Sequence, residues 1–183
     1  LSTTGNIVLL AASTPRGVNR DKISMIISTA GCRSGISLMD AGSVFDVNHL
    51  CVSYMHAARA LLDGSSRLRD PNMEVLIWIS GKRQIGEALA VSGAGRKTRQ
   101  LICCVNPPDW PKQEHIEVPP VIRRGNWSEL GVDDDDIIPV DPPCDVPWGG
   151  PNALERLGIS TDDKEKDRQL MALLEFISNT YLR

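Results

Sequence analysis

With 183 residues, 42% hydrophobic content and a mean hydropathy of -0.15, the chain has the size and composition of one well-buried soluble domain. Its longest apolar run, Ile7 to Ala12, is far too short to span a bilayer, and with no Lys or Arg before it the run lacks the charged start of a secretory signal, so a cytoplasmic protein with no membrane partner is expected. A formal net charge of -3 excludes nonspecific coating of nucleic acid, yet residues 1–105 carry 12 Lys+Arg against 7 Asp+Glu while residues 106–183 carry 8 against 16, which leaves room for a local phosphate site in the basic half.

Ile7–Ala12 reads as a buried strand closed by the turn residues Ser13 to Gly17. Ile23, Ile26 and Ile27 then repeat at helical spacing, which predicts a short amphipathic helix from Arg20 to Thr29, ended by Gly31. Ile36 to Met39 is a brief strand followed by the turn Asp40-Ala41-Gly42. Asp46 is the expected N-cap of a helix from Val47 to Leu62, whose stripe runs Val47, Leu50, Cys51, Tyr54, Ala58 and Leu61. Met73 to Ile79 is a continuous apolar stretch read as an interior strand. A helix from about Lys82 to Ser92 follows, ended by Gly93 and Gly95, and then a strand from Thr98 to Val105. This order predicts helices packed on a sheet.

The pattern breaks at Asn106. From there to Pro151 lie ten of the twelve prolines, the run Asp133 to Asp136 and three of the four tryptophans. Proline at this density prevents helices and interior strands, so the segment is expected to be an irregular acidic excursion with one edge strand near Ile137 to Val140. Trp110, Trp127 and Trp148 argue that it packs on the domain, because disordered segments are poor in aromatics. A last helix is predicted from about Asp162 to Leu182, capped by Ser160 or Thr161. The fold class is therefore mixed α+β: a single domain over 1–183 with a central mixed sheet of about four to five strands, packed helices and a long C-terminal helix.

The most informative stretch is Ser80-Gly81-Lys82-Arg83-Gln84-Ile85, read as a strand passing into a helix. The first turn of a helix has unpaired N–H groups and attracts anions. Gly81 would let a ligand approach the backbone, and Lys82 and Arg83 add two charges that oppose the helix dipole unless an anion is bound. The alternative is that both side chains simply reach into solvent. Arg16-Gly17 follows the first strand in a similar way, and in a parallel sheet both loops would open at one edge. The last helix carries more apolar surface than one face needs, which suits docking of a protein partner.

Other patterns carry less. Gly93-Ala94-Gly95-Arg96-Lys97-Thr98 is not a phosphate loop, because its glycine spacing is wrong and it runs from helix into strand, although Arg96, Lys97 and Arg99 extend a basic surface. His49 and His56 lie seven apart on one helix, not at the spacing of a metal pair, and a structural role is expected for them. Five cysteines show no metal or disulfide cadence, and adjacent Cys103 and Cys104 would point to opposite sheet faces as small buried apolar groups. No nucleophile–base set, metal site or cofactor motif is present, so a non-catalytic protein is expected. A small-molecule or nucleotide-binding α/β enzyme and a protein-only scaffold stand as alternatives.

Glu74 to Leu89, followed by Gly93 and Leu101-Ile102-Cys103, resembles the central block of the kinase-binding, tRNA-recruiting subunit of the KEOPS complex, the TPRKB family, and Ser-Gly-Lys-Arg-Gln-Ile is similar to its archaeal form. The similarity extends over residues 7–105 and loosely to the final helix; the stretch 106–151 departs from it. The resemblance implies a subunit without chemistry or cofactor. It would bind the atypical kinase/ATPase subunit, and through it the catalytic threonylcarbamoyltransferase subunit. It would also hold the 3′ CCA end of tRNA for modification of adenosine 37. Carried over, Arg16, Gly17, Gly81, Lys82, Arg83 and Gln84 would form the RNA site, and Leu173, Leu174, Ile177 and Tyr181 the kinase contact.

Overall fold

The computed structural model describes residues 7–29, 35–66, 68–107, 110–111, 122–125, 127–130, 132, 134–140, 148–160 and 163–179. Its centre is strand β1 (Ile7–Ser13), buried on both faces as its continuous apolar run requires. On one side β1 pairs antiparallel with β3 (Gln100–Val105), which pairs antiparallel with β2 (Ile36–Asp40). The other side of β1 is shared. Ile7 to Leu9 pair in parallel with β4 (Ile122–Arg124), and Ala11 to Ser13 pair antiparallel with β5 (Ile138–Val140). The sheet is thus mixed and five-stranded, as expected, with the neighbours β1, β3 and β2 running antiparallel. The β5 edge strand lies where the sequence placed it, whereas β4 had no signal in the proline-rich stretch.

Side chains alternate across the sheet as the pleat demands. Leu9, Ala11, Ile102 and Cys104 face a core shared with helices α2 (Val47–Leu62), α3 (Pro71–Ser80), α5 (Pro151–Leu157) and α6 (Lys166–Ser178). Leu10, Ala12, Leu101 and Cys103 face a second core closed by Ile26 of α1 (Arg20–Thr29) and by Trp127, Leu130 and Ile137. Cys103 and Cys104 therefore do point to opposite faces, and burial pushes both thiols up, that of Cys104 to about 12. Cys32 and Cys144 lie outside the described residues.

The tryptophans anchor the excursion, as anticipated. The Trp127 indole N–H donates to the Ala11 carbonyl at 2.6 Å, Trp110 meets the Tyr54 ring edge-on at 5.3 Å, and Trp148 packs on the larger core.

Three expectations are corrected. The stretch Met73 to Ile79 is helix, not strand. Asp70 caps α3 by accepting from the Asn72 N–H at 2.9 Å, Pro71 occupies the first turn, and the Glu74 carboxylate takes the Trp78 indole N–H one turn later at 3.0 Å. The run is apolar all round because α3 is enclosed between α2, α4 (Ile85–Ser92) and β2. Next, α4 starts at Ile85, not Lys82. Finally, α6 starts at Lys166 with Glu165 as its cap, and the separate helix α5 precedes it. Gly150 and Pro151 open α5 and Gly158, at φ 81°, ends it, so a short helix without a counterpart in the sequence reading stands ahead of the C-terminal one. Arg156 of α5 grips Asp40 of β2 with both guanidinium nitrogens at 3.2 Å, while Thr98 donates to the same carboxylate at 3.1 Å.

Candidate functional site

The junction of α3 and α4 is a turn between two helices, so Gly81 sits at a helix C-terminus. The C-terminal end of a helix leaves carbonyls unpaired, and here side chains answer two of them. The Ser80 hydroxyl donates to the Ile77 carbonyl at 3.1 Å and accepts from the Lys82 N–H at 3.2 Å. His49 of α2 reaches the Ile79 carbonyl at 3.2 Å. Gly81 then turns the chain at φ 62°, the left-handed conformation that favours glycine at this position. A Cβ on Gly81 would collide with the Phe176 ring of α6. The glycine is thus required for the cap and for α6 packing, and the close approach it permits is to Phe176, not to a ligand.

Lys82, Arg83 and Gln84 bridge to α4. Gln84 is the α4 N-cap in backbone terms, its carbonyl accepting from Ala88 at 2.9 Å, but its side chain makes no capping bond and is exposed. The electrostatics differ from a strand-to-helix turn. The two cations directly follow the C-terminus of α3, which favours positive charge, and precede the N-terminus of α4, which disfavours it, so the two dipole effects offset. An anion is not needed to explain Lys82 and Arg83, but an anion arriving there meets both charges and the first turn of α4.

These residues line a recess of about 300 Å³. Gly81, Lys82, Arg83 and Gln84 form one wall with Glu87, and Phe176 and Asn179 of α6 form the other. Two cations, an aromatic ring and two carboxamides suit a ligand that is anionic at one point, flat at another and rich in hydrogen-bonding edges. No sequence signal placed Phe176 or Asn179 here, because the contact joins positions almost a hundred residues apart.

Arg16 and Gly17 lie elsewhere. The Arg16 guanidinium pairs with Asp136 at 3.3 Å and lines a polar hollow with Asp134 and Asp135. Lys22 is held beside it by Asp134 at 3.1 Å and Asp136 at 2.6 Å, which raise its pKa against the opposing effect of its own desolvation. The strand that would have carried Lys82 and Arg83 to the same edge as Arg16 is instead helix α3, and the hollow of Arg16 is separate from the recess of Lys82 and Arg83.

On α6, Leu173 and Ile177 are fully buried in the core, so they hold the helix down and do not offer a surface. Leu174 is half-buried, and Tyr181 lies outside the described residues. The outward apolar residue is Met171, 66% exposed. On α2, which packs against α6, Val47 is 42% exposed beside Asp46, whose carboxylate faces the Lys166 ammonium of α6 at 3.9 Å.

His49 and His56 both pack within the domain, in keeping with the structural role read from their spacing, and His115 lies outside the described residues. His49 is buried, and His56 stacks on Trp78 with ring centroids 4.5 Å apart. Among the described residues no group of three or more His, Cys, Asp or Glu could hold a metal ion, and no helix is long and apolar enough to cross a membrane.

Residues 19–123 match the model of a protein family described as kinase binding protein CGI-121. A search of curated proteins found no match.

Proposed function

Because the chain belongs to the family of kinase binding protein CGI-121, we propose that it is the non-catalytic subunit of a KEOPS-type assembly, docking the atypical kinase and holding the 3′ CCA end of tRNA. The recess between the α3–α4 link and α6 carries this reading. A single-stranded RNA end is recognised by phosphate contacts together with stacking and base-edge bonds, without a large basic face. Lys82 and Arg83 supply the first, the Phe176 ring the second, and the Gln84 and Asn179 carboxamides the third. A protein of net charge -3 with this local site is built for an end, not for a duplex.

Kinase docking is assigned to the outward side of α6 and the adjoining start of α2: Met171, Leu174 and Val47. In this arrangement the core-facing residues of the same helix fix its position. The last turn of α6, with Phe176 and Asn179, borders the recess, so kinase and tRNA end would be held side by side. The catalytic step would belong to another subunit, in the cytoplasm.

The test is a gel shift with intact tRNA and with tRNA lacking its CCA end, with and without the kinase subunit. Intact tRNA is expected to bind far more tightly, and Arg83→Glu to abolish the difference. Equal binding of both RNAs overturns the tRNA reading and leaves a protein-only scaffold.

A further inference from the structure

Two loops outside the recess are laced into one rigid unit. Thr14, after β1, donates its N–H to the Arg99 carbonyl at 2.8 Å and its hydroxyl to the Thr98 carbonyl at 2.9 Å, and the Val18 N–H donates to the Gly95 carbonyl at 3.0 Å. Gly17, at φ 77°, lies so close to the Arg96 carbonyl that a Cβ would strike it. Arg16, Arg96, Lys97 and Arg99 all stand exposed on this unit. Arg16 is answered by Asp136, whereas Arg96, Lys97 and Arg99 form no ion pair among the described residues. The Arg99 guanidinium instead donates to the Arg96 carbonyl at 2.9 Å, which keeps the charge of Arg99 beside the Arg96 backbone.

Helix α4 joins this unit to the recess. Gln84 caps its start at the recess, and Gly93 caps its end at the basic loop. Eight residues of helix span about 12 Å, too far for one phosphate to serve both ends and short enough for one strand to reach both. The exposed residues between are Gly86, Glu87, Leu89 and Ala90, small or apolar apart from Glu87 at the recess itself.

We propose that the recess is the end of a longer RNA track, in which the strand leaving it runs along α4 and lays its phosphates on Arg96, Lys97 and Arg99. The inference rests on the reading of the recess as an RNA site. Phosphate contacts of this kind set position and carry no sequence information, so the track fixes the approach of the strand while the recess reads its end. An acidic protein would also be attracted to the three cations, but the continuity with the recess through α4 favours the RNA backbone.

The experiment measures tRNA affinity of the full chain by fluorescence anisotropy across a salt series, for the wild type, the triple variant Arg96→Ala/Lys97→Ala/Arg99→Ala and the single variant Lys97→Glu. Each phosphate contact on a single strand contributes about 0.7 to the slope of log affinity against log salt, so the triple variant is expected to bind tRNA more weakly with a slope shallower by about 2. Lys97→Glu, a change at one exposed side chain, should shift affinity in the same direction. A CCA trinucleotide, which fills only the recess, should bind the wild type and both variants equally. Wild-type protein that discriminates CCA-ended from CCA-less tRNA while the triple variant keeps the wild-type slope overturns the track and leaves the recess intact. Failure of the wild type to discriminate overturns the recess reading itself. An unchanged RNA slope with lost affinity for the kinase subunit makes the surface a protein contact and likewise overturns the track.

Discussion

His49 of α2 and Ile79 of α3 are joined by a buried hydrogen bond of 3.2 Å whose direction is determined by a third group. The Phe45 N–H donates to His49 Nδ1 at 3.0 Å, so Nδ1 carries no proton and Nε2 must donate to the Ile79 carbonyl. The neutral ring thereby ties the start of α2 to the last turn of α3, two residues before the recess begins at Gly81.

Protonating His49 would force a proton onto Nδ1, where the Phe45 N–H already points. Burial lowers its pKa from 6.5 to about 4. The folded state thus binds this proton less readily than the unfolded chain, and the contribution is fully present above pH 6.5 and lost as pH falls toward 4. The shift corresponds to about 3 kcal/mol over that window. His56, whose pKa burial also lowers, loses stability in the same direction. Urea midpoints between pH 7 and 4 should therefore fall, and a His49→Gln variant, less stable at pH 7, should show a much flatter profile. An equally steep profile in that variant would assign the acid sensitivity to other groups.

Gly81 and Phe176 supply the second prediction. An L side chain in the left-handed region costs about 1–2 kcal/mol, and a methyl group pressed into the Phe176 ring adds overpacking of about 1–3 kcal/mol. Gly81→Ala should lower the melting temperature by both effects. Gly81→Ala combined with Phe176→Ala should recover the overpacking share only, so the two substitutions are expected to be non-additive in a double-mutant cycle. If the recess holds the tRNA end as proposed, the same pair should weaken tRNA binding beyond what lost stability explains, because Phe176 borders the recess.

How far the sequence carries can be judged at this same junction. Helix α2 and strand β1 were legible because Asp46, a helical stripe and a short apolar run each report on local geometry. The error at Met73–Ile79 arose because an apolar run shows no periodicity when an element is buried on every side. The correcting signal was present just upstream: Asp70-Pro71 is a cap followed by a first-turn proline, with Glu74 in the first turn. Reading that run as a strand also moved Lys82 and Arg83 onto the wrong kind of turn. The recess itself was half legible. Its cationic wall is contiguous in sequence, but Phe176 and Asn179 arrive through tertiary packing, and nothing in their neighbourhood distinguishes them from a partner-facing stripe.

Trp127 gives a test of how firmly the excursion is attached. Its indole N–H donates to Ala11 in the middle of β1, and the ring is 3% exposed. Trp127→Phe keeps most of the ring and removes the donor from a buried carbonyl, a loss of about 1–3 kcal/mol. The expected outcome is a lower urea midpoint and faster proteolysis within residues 106–151. Unchanged cleavage would mean that β4 and β5 hold the segment without the tryptophan.

The face of α6 proposed to meet the kinase can be separated from the face that builds the core. Leu173 is fully buried, and Leu173→Ala should cost about 2–5 kcal/mol through lost burial and a residual cavity. Met171 is 66% exposed, and Met171→Asp should alter stability by no more than about 0.5 kcal/mol. If the outward side of α6 is the docking surface, Met171→Asp with Val47→Asp should reduce kinase binding by calorimetry while the melting temperature stays near that of the wild type. The charge would then stand in a desolvated apolar contact, where it has no partner. Wild-type kinase affinity in that double variant would move the interface to another face of the molecule and leave the inner residues of α6 with their packing role alone.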